Sequence, residues 1–341
     1  MALFRKLLLP FSALYWLITS LRNYFYTNAF FKSQTFPIPI IAVGNLTTGG
    51  TGKTPQIEYL VRLLSQYYRV ATLSRGYKRK SKGFVLAGAG TDAAVLGDEP
   101  YQFYQKFPDI TVAVDANRKN GIEQLLSLSL PPEIVLLDDA YQHRRVKAGF
   151  YILLTAYGDL YTDDFLLPAG NLRESRTGAK RADIIIVTKC PPGLSQGEQE
   201  AIERKLKAEA NQKIYFTFIE YDNLLYSEAG TMTVEDAGKT RKLLLAGIAK
   251  PEPFFRYLKS PGDEQMAFLD HHYFSDKEIG DIRKKSQNKF IITTEKDYMR
   301  LKGRLPDDRL FYLPIKSTFI KGSDDFDKTI LDYVGKSTGN R

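Results

Sequence analysis

From residue 38 onward, the chain alternates short apolar runs with longer stretches in which apolar residues recur at helical spacing. The apolar runs are rich in β-branched residues and occupy residues 38–43, 70–74, 110–114, 134–137, 151–155 and 184–188. Helical spacing lies between them, for example over residues 56–67 and 121–128. Buried strands that alternate with helices are typical of βαβ units. The pattern therefore predicts an α/β fold with a parallel sheet flanked by helices.

A second series of elements begins after residue 210. Residues 213–221 have the pattern of an extended strand, and Gly230 and Gly238 mark turns. Further apolar runs follow at residues 243–246, 266–269 and 290–293, with a helix from about Pro253. A chain of 341 residues also exceeds the usual size of one domain. The predicted parts are a helix over residues 1–30, a larger α/β domain over 31–210, a β linker over 211–240 and a smaller α/β domain over 241–341.

The amino-terminal residues 7–21 carry no charge and are flanked by basic residues at Arg5, Lys6 and Arg22. The run is short for a membrane-spanning helix and is interrupted by Pro10. Bulky aromatic residues follow it, which disfavours a cleaved signal peptide. The pattern favours an interfacial helix, with apolar residues in the acyl boundary and basic residues at anionic head groups. The alternative is a helix packed on the protein's own core.

A glycine-rich loop follows the first predicted strand and precedes an amphipathic stretch. Its predicted nucleotide-binding residues are Thr48, Gly49, Gly50, Thr51, Gly52, Lys53 and Thr54. Glycines let backbone N–H groups approach phosphate oxygens, and the helix that follows adds a favourable dipole. Lys53 is expected to neutralise the β- and γ-phosphates, and the Thr54 hydroxyl to ligate Mg²⁺. The usual P-loop pattern has glycine where this chain has Thr47, so the loop is a variant.

The apolar run over residues 134–137 ends in Asp138 and Asp139. A P-loop site needs a carboxylate there to hold Mg²⁺ through its water shell, although such a pair can also be a turn or helix cap. Which of the two aspartates faces the metal stays open. His143 is weak as a metal ligand, and hydrogen bonding near the nucleotide suits it better.

A phosphoryl-transfer enzyme also needs a base beside the acceptor hydroxyl. Asp98 is a candidate on its chemistry, although adjacent carboxylates before a proline often only start a helix. An Asp–His pair at Asp270 and His271 could tune a proton acceptor, or it could form a surface turn.

The composition narrows the choice of partner. The formal net charge of +9 suits an anionic partner. Arg75, Arg118 and Arg173 lie in loops that follow predicted strands or connect elements, and ligands of open α/β sheets bind at the carboxyl ends of strands. These loops are candidates for a phosphate-bearing acceptor, and a solvated basic face is the alternative. No aromatic-basic recognition pattern accompanies the charge, so nucleic acid is not an expected partner. A single cysteine excludes an internal disulfide and disfavours a zinc cluster.

Several short motifs occur in order along the chain: Val43–Asn45 leading into Gly49–Pro55, Ser74–Tyr77, Gly97–Pro100, Asp138–His143, Pro168–Glu174, Ala246–Ala249, Asp270–His271 and Thr294–Asp297. Together they resemble one family, the tetraacyldisaccharide 4′-kinases of lipid A biosynthesis. Each motif is modest by itself, whereas the ordered set over about residues 1–300 is specific. The family commonly has glycine where this chain has Ala140.

The resemblance implies two α/β domains joined by a β linker, with the active site in the cleft and membrane association through the amino-terminal helix. It implies that Asp98 is the general base toward the 4′-hydroxyl, assisted by His271. Other implied roles follow the motifs: ATP and Mg²⁺ at Lys53, Thr54, Asp138 and Asp139, the transferred phosphate or acceptor at Arg173 and Glu174, and the nucleotide at Gln142 and His143. The predicted substrate-binding residues are Arg75, Tyr77, Arg118 and Glu174.

Two hypotheses about function follow. The first is a kinase that transfers the γ-phosphate of ATP to the 4′-hydroxyl of tetraacyldisaccharide 1-phosphate, an anionic glycolipid, at the cytoplasmic face of the inner membrane. The second is a membrane-associated P-loop ATPase that acts as a switch. A kinase needs the acceptor-side base at Asp98 and His271, and a switch does not.

Overall fold

The computed structural model describes Arg5 and residues 7–338. Residues 1–4, Lys6 and residues 339–341, which the sequence assigns to the first and last parts, lie outside the described residues. The described α-helices are α1 (Leu9–Thr27), α2 (Lys53–Leu64), α3 (Ala93–Leu96), α4 (Asp98–Lys106), α5 (Arg118–Leu126), α6 (Gln196–Leu206), α7 (Val234–Gly238), α8 (Glu252–Leu258), α9 (Asp276–Lys285), α10 (Glu295–Leu301) and α11 (Ser323–Thr338).

The described strands are β1 (Ile40–Asn45), β2 (Val70–Ser74), β3 (Val85–Leu86), β4 (Thr111–Val114), β5 (Ile134–Asp138), β6 (Phe150–Ala156), β7 (Ile184–Thr188), β8 (Lys213–Tyr221), β9 (Leu224–Ser227), β10 (Gly230–Thr233), β11 (Lys242–Ala246), β12 (Glu264–Ala267), β13 (Phe290–Thr294), β14 (Leu310–Leu313) and β15 (Ile315–Phe319). They form two sheets in the described part of the chain.

The larger sheet has the order β15-β8-β7-β6-β1-β5-β2-β4-β3. Its strands from β8 to β4 are parallel, and an antiparallel strand closes each edge. The inner strands β1, β2, β5 and β7 are buried along their whole length, as both faces are covered by helices. Because Val43 of β1 pairs with Asp138 of β5, the loop after β1 and the aspartate pair meet at one sheet edge.

The smaller sheet has the order β10-β9-β14-β13-β11-β12. Strands β12, β11, β13 and β14 are parallel, and β9 and β10 continue the sheet as an antiparallel hairpin. Apolar residues of β11 alternate between two cores, with Leu244 and Ala246 on one face and Leu243 and Leu245 on the other. Helices on both faces cover these cores, as a parallel sheet requires.

The division of the chain between the two sheets differs from the predicted domain boundaries. Strand β8, predicted as part of the linker, lies in the larger sheet, whereas β9 and β10 belong to the smaller one. Strand β15 and helix α11, placed by the sequence within residues 241–341 of the smaller domain, return to the larger sheet. The physical reason is apolar burial, because Phe319, Phe326 and Ile330 complete the core that α2 covers.

Candidate active site

The glycine-rich loop lies between β1 and α2, at the carboxyl edge of the larger sheet. Gly52 caps α2 in the left-handed conformation and no side chain caps the helix, so its first N–H groups face the loop. The Thr188 hydroxyl donates to the Thr51 carbonyl at 2.8 Å, and Lys189 Nζ donates to the Gly50 carbonyl at 2.5 Å. Residues at the end of β7 therefore fix the loop through its carbonyl groups. Its amide groups remain available at the N-terminus of α2, a position that suits phosphate.

Lys53 and Arg173 face the second aspartate of the pair. Lys53 Nζ lies 3.7 Å from Asp139 Oδ1, and the Arg173 guanidinium donates to both Asp139 oxygens at 2.8 and 3.1 Å. Burial by itself would raise the pKa of Asp139, but Lys53 and Arg173 outweigh it and lower the pKa to about 2. Asp139 is thus a fixed anion between two cations, where a phosphate group would compete for the same cations.

The first aspartate has a different environment. Burial, and then the charge of Asp139, raise the pKa of Asp138 to about 6. Its Oδ2 accepts a hydrogen bond from the Ser74 hydroxyl at 3.3 Å, whereas Oδ1 is buried without a hydrogen-bond partner. A buried carboxylate oxygen with no donor is poorly satisfied, and a cation bound beside it would satisfy it.

Asn45 joins these groups, although no role was predicted for it. Its side-chain Oδ1 accepts from Lys53 Nζ at 3.4 Å and also from the Arg173 guanidinium. Its backbone carbonyl accepts from Gln142 Nε2 at 2.8 Å. Asn45 therefore positions both cations of the phosphate site. The position directly before the loop, at the end of a buried strand, is the signal that could have identified it.

A second polar cluster joins the two domains around Asp98, the first residue of α4. Arg300 of α10 donates to both Asp98 oxygens, through Nε at 2.9 Å and through Nη2. His271 Nδ1 lies 3.2 Å from Asp98 Oδ2, and Lys296 Nζ lies 2.9 Å from His271 Nε2. Burial raises the pKa of Asp98, but His271, Arg300 and Lys296 outweigh it and hold the pKa well below its usual range. The predicted Asp98–His271 pair is thus formed by contact between the domains.

The two clusters lie at the same sheet edge. Gly97 packs on Gly76, in the loop after β2, and β2 neighbours β5 with its aspartate. The charge of Glu99 contributes to the raised pKa of Asp138, so Glu99 lies within electrostatic range of this candidate metal ligand. Tyr77 contacts the His271 ring edge-on at 5.2 Å between centroids and is 56% exposed. A candidate phosphate site and a candidate base, with the exposed Tyr77 ring beside it, therefore lie at the same edge of the larger sheet.

Comparisons with known proteins agree with this geometry. A family model described as tetraacyldisaccharide-1-P 4'-kinase matches residues 4–335. The chain belongs to that family. It is similar to the tetraacyldisaccharide 4'-kinase of Flavobacterium johnsoniae, at 60% identity over 98% of each chain. It is also similar to that of Bacteroides thetaiotaomicron, at 43% identity over 98% of this chain and 94% of the other.

The fold of this 4′-kinase family member also matches a solved structure. A crystal structure of LpxK from Aquifex aeolicus in complex with ATP superposes with a TM-score of 0.79 at 32% identity. The match covers 97% of this chain and 99% of the other. The predicted family, the kinase class and the α/β fold with a large, mainly parallel sheet are thereby confirmed.

Other predicted site residues of the kinase have mainly internal contacts. Arg118 is 2% exposed and donates to the backbone carbonyls of Asp115 and Asp138, and burial lowers its pKa to about 10. Glu174 is also 2% exposed and accepts from Gln142, Arg181 and Asn23. These contacts fit a role in holding the loops of the site. Arg75, in contrast, is exposed, in the loop directly after β2.

Gln142 and His143 follow the aspartate pair in the kinase. Gln142 reaches the phosphate loop through its bond to the Asn45 carbonyl and shares Glu174 with Arg181. His143 Nε2 is buried without a hydrogen-bond partner. Burial, and then nearby arginines such as Arg118, lower the pKa of His143 to about 4, so its ring is neutral at physiological pH.

Helix α1 attaches to the site loops through one polar face. Ser12 donates to the Leu166 carbonyl, Tyr15 OH to the Arg173 carbonyl and Asn23 to Glu174, at 2.9–3.0 Å. Most of the large apolar residues on the rest of the helix are exposed: Leu9, Phe11, Leu14, Trp16, Leu17, Ile18, Leu21 and Tyr24. Among residues 7–338, no helix combines the length and apolar character needed to cross a bilayer.

Proposed function

We propose that this kinase transfers the γ-phosphate of ATP to the 4′-hydroxyl of tetraacyldisaccharide 1-phosphate. The observation that carries the proposal is the second polar cluster. Asp98 and His271 meet at the cleft beside the phosphate loop, in a chain of the 4′-kinase family. A nucleotide switch has no use for such an acceptor-side pair.

The donor side binds the triphosphate. The loop amides and the N-terminus of α2 receive the phosphate oxygens, with Lys53 on the β- and γ-phosphates. Arg173 stabilises the charge that develops on the transferred group. The relative from Aquifex aeolicus, which binds ATP, supports ATP as the nucleotide.

The residues present fit a magnesium ion beside the phosphates. The unpartnered Asp138 Oδ1 supplies a free carboxylate oxygen, and Thr54 and Asp139 offer further oxygen ligands of the type that Mg²⁺ prefers. Bound there, Mg²⁺ would neutralise phosphate charge during transfer. The role of the protein is to hold these oxygens and Lys53 in place.

The acceptor side removes one proton. The 4′-oxygen forms a bond to the γ-phosphorus, the bond from that phosphorus to the β-phosphate oxygen breaks, and ADP leaves. Asp98 accepts the hydroxyl proton, and His271 shares the charge through its Nδ1 contact. A carboxylate with a strongly lowered pKa is a weak base, so a longer Arg300 contact in the acceptor complex would make Asp98 a better proton acceptor.

The lipid reaches the cleft from the membrane side. The exposed apolar face of α1 lies in the acyl boundary of the cytoplasmic face of the inner membrane, as a peripheral attachment. Tyr15 and Asn23 connect α1 with Arg173 and Glu174 of the site loop. The substrate's acyl chains can therefore stay in the membrane while its 4′-hydroxyl enters the cleft.

The test is transfer of label from γ-labelled ATP into tetraacyldisaccharide 1-phosphate in detergent micelles with Mg²⁺. Lys53→Ala and Asp98→Asn are compared with the parent, and Asp308→Asn, at an exposed position, is the charge-matched control. We expect labelled lipid from the parent and the control, and a loss of roughly a hundredfold or more in both site variants. Label released only as free phosphate, unaffected by lipid and by Asp98→Asn, would instead support the ATPase switch.

A further inference from the structure

A third charged cluster, centred on Lys106, connects helices α2, α4 and α10. Lys106 Nζ lies 2.8 Å from Glu58 of α2 and 2.8 Å from Glu295 of α10. The two carboxylates are 1% and 5% exposed. Glu58 also accepts from Gln102 and from Arg62, both at 2.9 Å. Lys106 thus bridges two buried acids that come from the two domains, and Arg62 is a second cation on Glu58.

The same lysine defines how two of these helices align. Helices α4 and α10 pack together, with Asp98 at the start of α4 bound to Arg300 and Lys106 at its end bound to Glu295. The helices are therefore antiparallel and joined by an ion pair at each end. Along α4 the two ion pairs are about 12 Å apart, since the helix rises about 1.5 Å per residue. A change at the Lys106 end alters the angle at which the smaller domain presents its groups to Asp98.

We propose that Lys106 is a positioning residue that aligns His271 of the smaller domain with Asp98 for phosphoryl transfer. Through Glu58 it ties the same alignment to α2, which begins at Lys53 of the phosphate loop. Lys106 would then also set the distance between the phosphate loop and the Asp98–His271 pair. The role of Lys106 rests on the proposed function, since it concerns the proton acceptor of that reaction.

The cluster has a predictable response to pH. The charged and titratable groups that face Glu295 are Glu58 and Arg62 on α2, Lys106 on α4 and Tyr312 on β14. Burial, and then the charge of Glu58, raise the pKa of Glu295 to about 7, although Lys106 and Arg62 oppose this. The docked domains hold this proton more tightly than separated domains would. The contact is therefore most favourable at low pH and weakens as the pH rises toward about 7.

The test compares kcat for lipid phosphorylation and KM for ATP across pH 6 to 9 in the parent and in Lys106→Met. Without the lysine two carboxylates face each other, so the domains dock poorly unless Glu295 is protonated. We expect kcat to fall roughly ten- to a hundredfold at pH 8.5, to recover toward the parent near pH 6, and KM for ATP to change less than about threefold.

Adding Glu295→Gln should restore kcat at pH 8.5 to within about threefold of Glu295→Gln alone, because Arg62 and Gln102 still satisfy Glu58. Lys302→Met is the matched control, since Lys302 pairs with Glu228 inside the smaller domain. If Lys106→Met does not fold, Glu295→Gln alone should still flatten the pH dependence of kcat. An unchanged pH profile with an unrescued loss would overturn the inference, whereas an inactive parent would instead refute the proposed function.

Discussion

At the scale of single residues, the polar cluster around Asp98 depends on one arginine. Arg300 binds both oxygens of Asp98 and lies 3.6 Å from Asp297, which is completely buried. Asp297 also accepts from the Gly247 amide at 2.8 Å, so it joins Arg300 to the loop after β11. Arg300 thereby sets both the position and the acidity of the proposed base.

Arg300→Met should lower kcat and shift the acidic side of its pH profile to higher pH. Without the guanidinium, the pKa of Asp98 rises toward its ordinary value, so protonation of the base sets in at a higher pH. We expect kcat to fall by roughly tenfold or more, with KM for ATP little changed. The pH dependence of kcat measures both effects, and Arg309→Met, which removes a partly exposed arginine of the same domain, is the control. An acid limb at the parent's position would show that Arg300 does not control Asp98.

The sequence predicted those site residues that lie in short linear motifs. Lys53 and Asp139 follow strand ends, and neighbouring parallel strands bring such ends together, so their meeting was predictable. Arg300 and Lys106 were not predictable in the same way. Each acts through a contact between helices far apart in sequence, and an isolated charged residue on a helix is usually solvated.

At the scale of elements, helix α1 has two faces with different partners. The residues that contact the protein, Ser12, Tyr15 and Asn23, recur at helical spacing on one side. Leu14 and Leu21 lie on another side and are 57% and 50% exposed. The sequence indicated an apolar helix with basic flanks, but only the structure divides it into a docked face and a free face.

Replacing the free-face leucines should weaken lipid binding without disturbing the site. Each buried leucine contributes about 1.5–3 kcal/mol to transfer from water, so Leu14→Gln with Leu21→Gln should lower partitioning into anionic vesicles by roughly a hundredfold. Vesicle sedimentation measures this, with Leu130→Gln as the control because Leu130 is exposed outside α1. Unchanged sedimentation of the double variant would mean that α1 does not meet the membrane through this face.

At the scale of the whole molecule, the two domains are joined by more than one crossing of the chain. The chain leaves the larger sheet after β8, forms the smaller sheet, and returns through β15, which pairs antiparallel with β8. The hydrophobic pattern predicted the alternating elements, because their periodicity is local. It did not predict which sheet β15 and α11 join, since an apolar helix face fits either core.

Because the chain returns to the larger domain, the stability of that domain depends on α11, the last helix. Phe326 of α11 is fully buried and packs on Tyr59 of α2, the helix that begins at the phosphate loop. Phe326→Ala should cost about 3–5 kcal/mol and loosen α2, so backbone hydrogen exchange should rise in residues 53–64 and 315–338. Phe274→Ala, in the smaller core, should instead raise exchange around β11 and β13. If Phe326→Ala affected the smaller sheet and spared α2, the last helix would belong energetically to the smaller domain, as its place in the sequence had suggested.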